Sequence, residues 1–252
     1  DYVTNTLASV IARINYSYEG KYLLTATVRR DGSSKFGNGN KWGTFPSLSA
    51  AWNMNEESFL KDINWLNQLK LRAGFGLLGN QNIPNYAYMT IYQPAYSNGI
   101  VGFTPEDSRY GNPDLKWEKQ KQYNLGFDAS LLNNRLSFTG DMFYMRNTDL
   151  LMRMALWPSF GYNYQIANVG ELENKGIEFS MNALVIDAKD FKWRISGNIA
   201  HDKNTIKKLA NGVDVLWNGG NIMSRDGNLF VGQSLNSFYT FQAEKIAQQS
   251  DM

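Results

Sequence analysis

Two aspartates sit where a carboxylate pair could work. Asp128 and Asp141 lie on successive strand-like stretches, near neighbours across the turn that joins them. Two carboxylates flanking one bond are the equipment of a glycosidase. The polar faces of these and nearby stretches also carry Lys70, Arg72, Lys192 and Arg194, so the same aspartates equally fit the mixed charge of a large polar sheet face, the simpler reading. The one histidine, His201, falls at an expected strand end beside Asp202, and a lone histidine there reads as a surface or girdle residue rather than a ligand. No HExxH, P-loop, CxxC or GxSxG occurs, so the common metal, nucleotide, thiol and acyl-transfer signatures are missing. Asp31-Gly-Ser-Ser opens like a calcium loop but lacks the later ligands and terminal glutamate. Asn15-Tyr-Ser matches a glycosylation sequon inside a strand, where it is chance. The residues imply no catalysis, metal or cofactor.

Other residues suit binding. Phe36, Trp42, Tyr86, Tyr88, Tyr92, Tyr96, Trp157, Phe160, Tyr162, Tyr164 and Trp217 stand in loop-like stretches among Asn, Gln and Asp. Aromatic faces with amides between them offer stacking surface and directional hydrogen bonds, which suits sugars or peptides. The bland alternative is that the long loops pack on themselves and on a partner protein.

The elements that hold these residues alternate with period two, the mark of a strand with one apolar and one polar face. Tyr123, Leu125, Phe127, Ala129 and Leu131 alternate with polar residues, and so do Leu136, Phe138, Met142 and Tyr144. A tight turn at Asn133-Asn134, where asparagine tolerates positive φ, pairs Leu131 with Leu136 and sets Phe127 over Gly140. Val10–Tyr18 and Tyr22–Val28 form a hairpin about Glu19-Gly20-Lys21, with Tyr18 against Tyr22. Pro46–Met54 and Leu69–Leu77 are further strands, and Glu56–Leu66 has the apolar spacing of a short amphipathic helix. A turn at Asp187-Ala188-Lys189 pairs Phe179 with Gly197 between strands at 177–185 and 191–199, and Leu229–Ala243 makes a ninth strand. The expected loops are 31–43, 78–116, 149–165 and 201–228. All four fall at one end of the meander, with compact connections at the other, near Tyr16, Tyr18, Tyr22, Trp52, Phe191 and Trp193.

That arrangement is the organisation of an up-and-down antiparallel transmembrane β-barrel with an interfacial aromatic girdle. Composition permits it: mean hydropathy is −0.42 and there are 14 Tyr, 14 Phe, 7 Trp, 22 Gly and no Cys. No run reaches the roughly 18 apolar residues of a membrane helix, which leaves barrels untouched. A net charge of +2 is too small to argue for nucleic acid. In a barrel, Arg13, Lys70, Arg72, Asp128, Asp141, Glu178 and Arg194 face the lumen. The rival classes are a soluble β-rich glycan-binding module, which would pack these apolar faces inside, and more remotely a barrel hydrolase using Asp128 and Asp141. No signal peptide opens the chain, which reads as a segment of a longer protein whose nine strands leave two open edges and do not close.

Several stretches, taken together and in order, resemble the barrel of SusC/RagA-type TonB-dependent outer-membrane transporters of Bacteroidota. They are Tyr22-Leu-Leu through Arg30-Asp-Gly-Ser-Ser-Lys-Phe, Asn40-Lys-Trp-Gly-Thr-Phe-Pro-Ser, Leu69-Lys-Leu-Arg-Ala-Gly-Phe-Gly with Gly79-Asn-Gln, Asn112-Pro-Asp-Leu-Lys-Trp-Glu, Asn168-Val-Gly with Asn174-Lys-Gly-Ile-Glu, and Val231-Gly-Gln-Ser-Leu-Asn-Ser-Phe-Tyr. Ser234 and Thr240 depart from the Pro and Gly frequent in the family. The resemblance implies a 22-stranded barrel filled by an N-terminal plug, with residues 1–252 forming part of the barrel alone. It also implies a SusD-like lipoprotein over the outer face and TonB pulling on the plug to admit an oligosaccharide or oligopeptide. It transfers no substrate-binding residue.

Overall fold

The computed structural model describes residues 4–216, 229–235 and 237. Among them the chain forms β1 (Leu7–Tyr18), β2 (Tyr22–Ser33), β3 (Trp42–Asn53), β4 (Leu66–Asn80), β5 (Tyr92–Ser97), β6 (Ile100–Pro105), β7 (Arg109–Tyr110), β8 (Glu118–Leu131), β9 (Leu136–Thr148), β10 (Leu151–Ala155), β11 (Tyr164–Asn168), β12 (Glu171–Asp187), β13 (Lys192–Lys208), β14 (Val215–Leu216) and β15 (Leu229–Phe230). The long strands make one antiparallel sheet in the order β1-β2-β3-β4-β8-β9-β12-β13. It is a meander, open at β1 and β13.

The registers place every apolar row on one face. Tyr16, Leu24, Ala50, Ala73, Leu125, Met142 and Ile177 follow one another straight across seven strands. Among the described residues nothing covers this face: Ile14 is 72% exposed, Leu125 57% and Ile199 71%. The buried core lies instead at the long-loop end, where Phe36, Phe45, Ile83, Ala87, Leu115, Trp117 and Ile166 pack together. Trp117 is its pivot, with its ring 5.2 Å from Phe36 and 5.4 Å from Phe45, and its indole N–H donating to the Lys41 carbonyl at 3.1 Å.

Two of the three expected hairpins keep their register. Tyr18 pairs with Tyr22 across a turn in which Gly20 takes φ +67°. Leu131 pairs with Leu136, and the Arg135 N–H donates to the Leu132 carbonyl at 3.2 Å with Asn133 and Asn134 both at positive φ. Phe127 lies over Gly140, so close that a Cβ there would overlap its ring.

Other expectations are corrected. Glu56–Leu66 forms no α-helix: a 3-10 turn at Met54–Glu56 runs into successive turns with one i to i+4 bond, from the Lys61 N–H to the Glu57 carbonyl. Eleven residues are marginal for a helix without packing, and Phe59, 64% exposed, has no layer to pack on. Phe179 faces Ile199 rather than Gly197. The β12–β13 connection holds four residues, 188–191, closed by the Ala188 N–H on the Phe191 carbonyl, which moves the pairing three residues from the expected register, and a bulge between Leu184 and Ile186 takes one back. Arg135, reaching from the neighbouring turn, donates to the Leu184 and Val185 carbonyls and satisfies backbone that a bulge frees. The net slip is two residues, so the faces survive it. His201 is mid-strand, paired with Ile177 on the apolar face, because β13 runs on to Lys208. The loops expected at 31–43, 78–116 and 149–165 are shorter or contain strands: β2 reaches Ser33, β3 starts at Trp42, β4 ends at Asn80, and β5, β6, β7 and β10 lie inside. Of the expected ninth strand, only Leu229–Phe230 is extended among the described residues, pairing with β14 outside the main sheet; 231–235 form turns, the Gln233 N–H donating to the Phe230 carbonyl, and 238–243 lie outside the described residues.

Candidate functional site

The two long connections, 81–117 and 149–170, are stitched into one layer. β11 pairs parallel with β7 and antiparallel with β10. Asn112 Nδ2 donates to the Ile166 carbonyl at 2.9 Å, and Gln165 Nε2 to the Gly111 carbonyl at 3.1 Å. Asn168 clamps Lys116, its Oδ1 accepting from the Lys116 N–H at 2.8 Å and its Nδ2 donating to the Lys116 carbonyl at 2.7 Å. The asparagines that suggested a ligand surface thus mostly satisfy loop backbone.

On this layer three tyrosines come together. The Tyr92 and Tyr162 hydroxyls are 2.8 Å apart, and the Tyr162 ring lies 4.9 Å from that of Tyr110 at 55°. The hydrogen bond to Tyr92 is the chief cause holding the Tyr162 phenol above its ordinary pKa. Tyr110 was not among the sequence candidates. Beside them β5 and β6 form a hairpin of their own, turning at Asn98-Gly99 with both residues at positive φ. Its pairing puts Tyr92, Pro94, Tyr96, Val101, Phe103 and Pro105 on one face, with Tyr96 79% and Phe103 75% exposed. Phe103 and Val101 were also missed; the Asn-Gly dipeptide between alternating runs was the available signal.

The remaining binding candidates divide. Trp157 and Phe160 are exposed and Tyr86 partly so. Tyr88 is half-buried near Gly37. Tyr164 packs on the loop core under the Arg153 guanidinium, 4.8 Å from its ring. Phe36 is fully buried and presents nothing to a ligand, because it fills the loop core against Trp117. Trp42 is in β3 rather than a loop; it stands opposite Gly32 on the apolar face, with the Arg30 guanidinium 5.4 Å from its ring. Trp217 lies outside the described residues.

Arg13, Lys70, Arg72, Asp128, Asp141, Glu178 and Arg194 share the polar face by register. Arg72 sits between the two aspartates. Its Nε donates to Asp128 Oδ2 at 2.8 Å, and a terminal nitrogen donates to Asp128 Oδ1 and Asp141 Oδ2, each at 3.2 Å. The guanidinium occupies the space and the acceptor sites that a scissile bond would need, so the pair is a structural clamp. Among the described residues, no three His, Asp or Glu side chains converge as metal ligands.

A second cluster closes the compact end. Tyr22 stacks on Tyr18 and Trp52 at 6.4 and 6.1 Å. The Tyr22 hydroxyl and Trp52 indole both donate to Glu57 Oε1, at 2.6 and 3.0 Å, and Lys21 Nζ lies 3.6 Å from Oε2. The Tyr22 bond first, then Trp52 and Lys21, hold Glu57 below the ordinary carboxylate range. A depressed carboxylate contributes stability that is complete above its unfolded value and lost as pH falls through its folded one. The melting-temperature gap between the wild type and Glu57→Gln is therefore expected to be constant above about pH 5 and to close in acid below the usual value of about 4.3. A gap unchanged across that window would refute the role given to Glu57.

The TonB dependent receptor-like beta-barrel family model matches residues 1–242. SusC, a TonB-dependent receptor of Bacteroides thetaiotaomicron, is 41% identical over 252 residues, 94% of this chain and 25% of SusC. TonB-dependent receptor P3 of Formosa agariphila is 38% identical over 96% of this chain and 25% of its own length. The RagAB peptide transporter structure superposes with a TM-score of 0.83 at 28% identity, covering 92% of this chain and 25% of that one. The chain spans about a quarter of the length of the curated relatives it matches.

Proposed function

The chain belongs to the TonB-dependent receptor-like β-barrel family, proteins of the bacterial outer membrane, and from that premise we propose that it forms adjacent wall strands and outer loops of a transporter importing oligosaccharides or oligopeptides. The apolar face meets lipid. The polar face, with the Arg72 clamp, lines the lumen and meets a plug through which TonB acts. The long-loop layer faces outward, where Tyr92, Tyr110 and Tyr162 meet substrate and the β5–β6 face meets a SusD-like lipoprotein lid. Likeness to SusC and to a peptide transporter supports the pairing and leaves both substrate classes in play.

The observation that carries this reading is the uncovered apolar face. Eight strands expose it without a second layer and without a charge from Tyr123 to Leu131 or from Leu136 to Tyr144 on that face. A soluble sheet buries such an area. Eight residue steps on β8 span about 27 Å along the strand and, at a tilt near 40°, about 20 Å across the membrane, close to the roughly 25 Å apolar band of outer-membrane barrels. A fluorophore on Leu125→Cys in the full-length reconstituted protein should be quenched by brominated lipid and spared by aqueous iodide, with the reverse for Asn124→Cys. Iodide quenching at both positions would remove the lipid assignment.

A further inference from the structure

At the long-loop end of the apolar face the side chains change abruptly from rings to cations. Tyr123 and Tyr144 pair across β8–β9, their rings 6.2 Å apart, and Phe75 adds a third ring 5.1 Å from Tyr123. One side-chain step further along the same face stand Lys121, directly opposite Arg146, and then Lys119. On the next strands Lys175 stands opposite Lys203, and Lys207 follows. All six are exposed. Like charges directly opposite on antiparallel strands destabilise the pairing, and here two such pairs occur on successive rows, Lys175–Lys203 level with Tyr123–Tyr144 and Lys121–Arg146 one side-chain step further, where Glu173 is the next residue across.

The two carboxylates within the belt neutralise it only in part, engaging Arg146, Lys175 and Lys207. Glu173 is nearly buried and already accepts from the Tyr144 hydroxyl at 3.1 Å, with Lys207 at 3.4 Å and Lys175 at 3.9 Å. Glu171 pairs with Arg146. Lys119, Lys121 and Lys203 form no ion pair among the described residues. Nor is the belt lumen polarity: parity puts its cations on the face of Leu125 and Ile177, while the lumen-side residues of the same strands are Gln122, Asn147, Asn174 and Asn204.

We propose that the outward cations at Lys119, Lys121, Arg146, Lys175, Lys203 and Lys207 form a docking belt for the phosphorylated headgroup of an outer-leaflet glycolipid. The inference rests on the lipid-facing reading of this face. Three features favour a headgroup. The belt adjoins the aromatic row that marks the membrane interface, it lies on the loop side, and its height is that of phosphates rather than of acyl chains. Several phosphate oxygens bridging two cations turn each repulsive pair into an attractive one. The lysines keep their apolar stems along the barrel wall while the ammonium groups reach the headgroup.

The test uses the full-length protein in neutral detergent. Its complexes with bisphosphorylated lipid A and with the same lipid stripped of phosphate are compared by native mass spectrometry, for the wild type and for Lys121→Gln/Lys203→Gln. A cation near an anionic lipid surface is worth about fivefold in binding, so the double variant should hold the phosphorylated lipid about 25-fold more weakly. The dephosphorylated lipid should not distinguish the two proteins. The variant should melt at or above the wild-type temperature in lipid-free detergent, since one member of each repulsive pair is gone, and this shows that it folds. Equal retention of phosphorylated lipid by both proteins would overturn the proposal. So would displacement of the lipid by inorganic phosphate alone, which would make the belt a free-anion site, or anion-dependent binding of only an acidic protein partner. The Leu125→Cys measurement separates the two levels: quenching by lipid with no phosphate preference sinks the belt alone, whereas its failure removes the lipid face itself.

Discussion

Leu125→Arg in the full-length barrel is expected to cost about 2–4 kcal/mol of folding stability, the cost of a cation on the lipid face near the bilayer midplane. Leu125 lies inside the charge-free band and makes its contacts outward. Asn124→Arg, one residue away, puts the same cation on the exposed polar face between Gly74 and Phe143, where surface substitutions stay within about 0.5 kcal/mol. Urea unfolding from vesicles measures both. The contrast between neighbours is the decisive quantity, because strand propensity and chain entropy are nearly common to the two variants. Similar costs at 124 and 125 would mean that the two faces do not meet different solvents.

The second large effect belongs to the loop core. Phe36→Ala should cost about 3–5 kcal/mol, the range for emptying a buried phenylalanine site, because Phe36 is fully buried against Trp117. The loss should be local. Amide exchange should accelerate across 81–117 and 149–170, which rest on this core, and stay slow in β8, β9 and β12, whose ladders do not touch it. Uniform acceleration over sheet and loops would show that the loop layer and the wall unfold as one unit.

The strands were legible where the two faces meet different surroundings. From Tyr123 to Leu131 and from Leu136 to Tyr144 one side is apolar and the other polar, and that alternation carried the register down to Phe127 over Gly140. It failed at the strand ends. Beyond the apolar band both faces are wet, so His201–Lys208 reads as loop although it is paired strand, and Glu171–Asn174 falls outside the expected strand at 177–185. The β12–β13 slip was hidden because Leu184, Val185 and Ile186 are all apolar, and no pattern marks which of them is extra. Among the candidate site residues, composition distinguished neither Phe36 in the core nor Trp42 on the outer wall from Tyr92 and Tyr162 on the loop surface. An aromatic near glycine and asparagine looks alike in all three places, and only the fold decides what it touches. Asp128 and Asp141 were legible as neighbours, whereas Arg72 between them comes from a strand more than fifty residues away.

The strand order also sets a sequence of events in time. Each strand in the main sheet pairs with the next long strand in the chain, so the wall can zip without any crossover. The intervals are unequal. Turns of three or four residues join β1 to β2, β8 to β9 and β12 to β13, while β4 and β8 are separated by residues 81–117. Closing that interval rather than a four-residue turn costs about 2 kcal/mol more in chain entropy, at roughly 0.6 kcal/mol per doubling of length. The β4–β8 ladder is thus where two early-formed halves of the wall must find each other, and the buried Trp117, placed immediately before β8 and bonded back to Lys41 ahead of β3, serves as the latch that shortens the search.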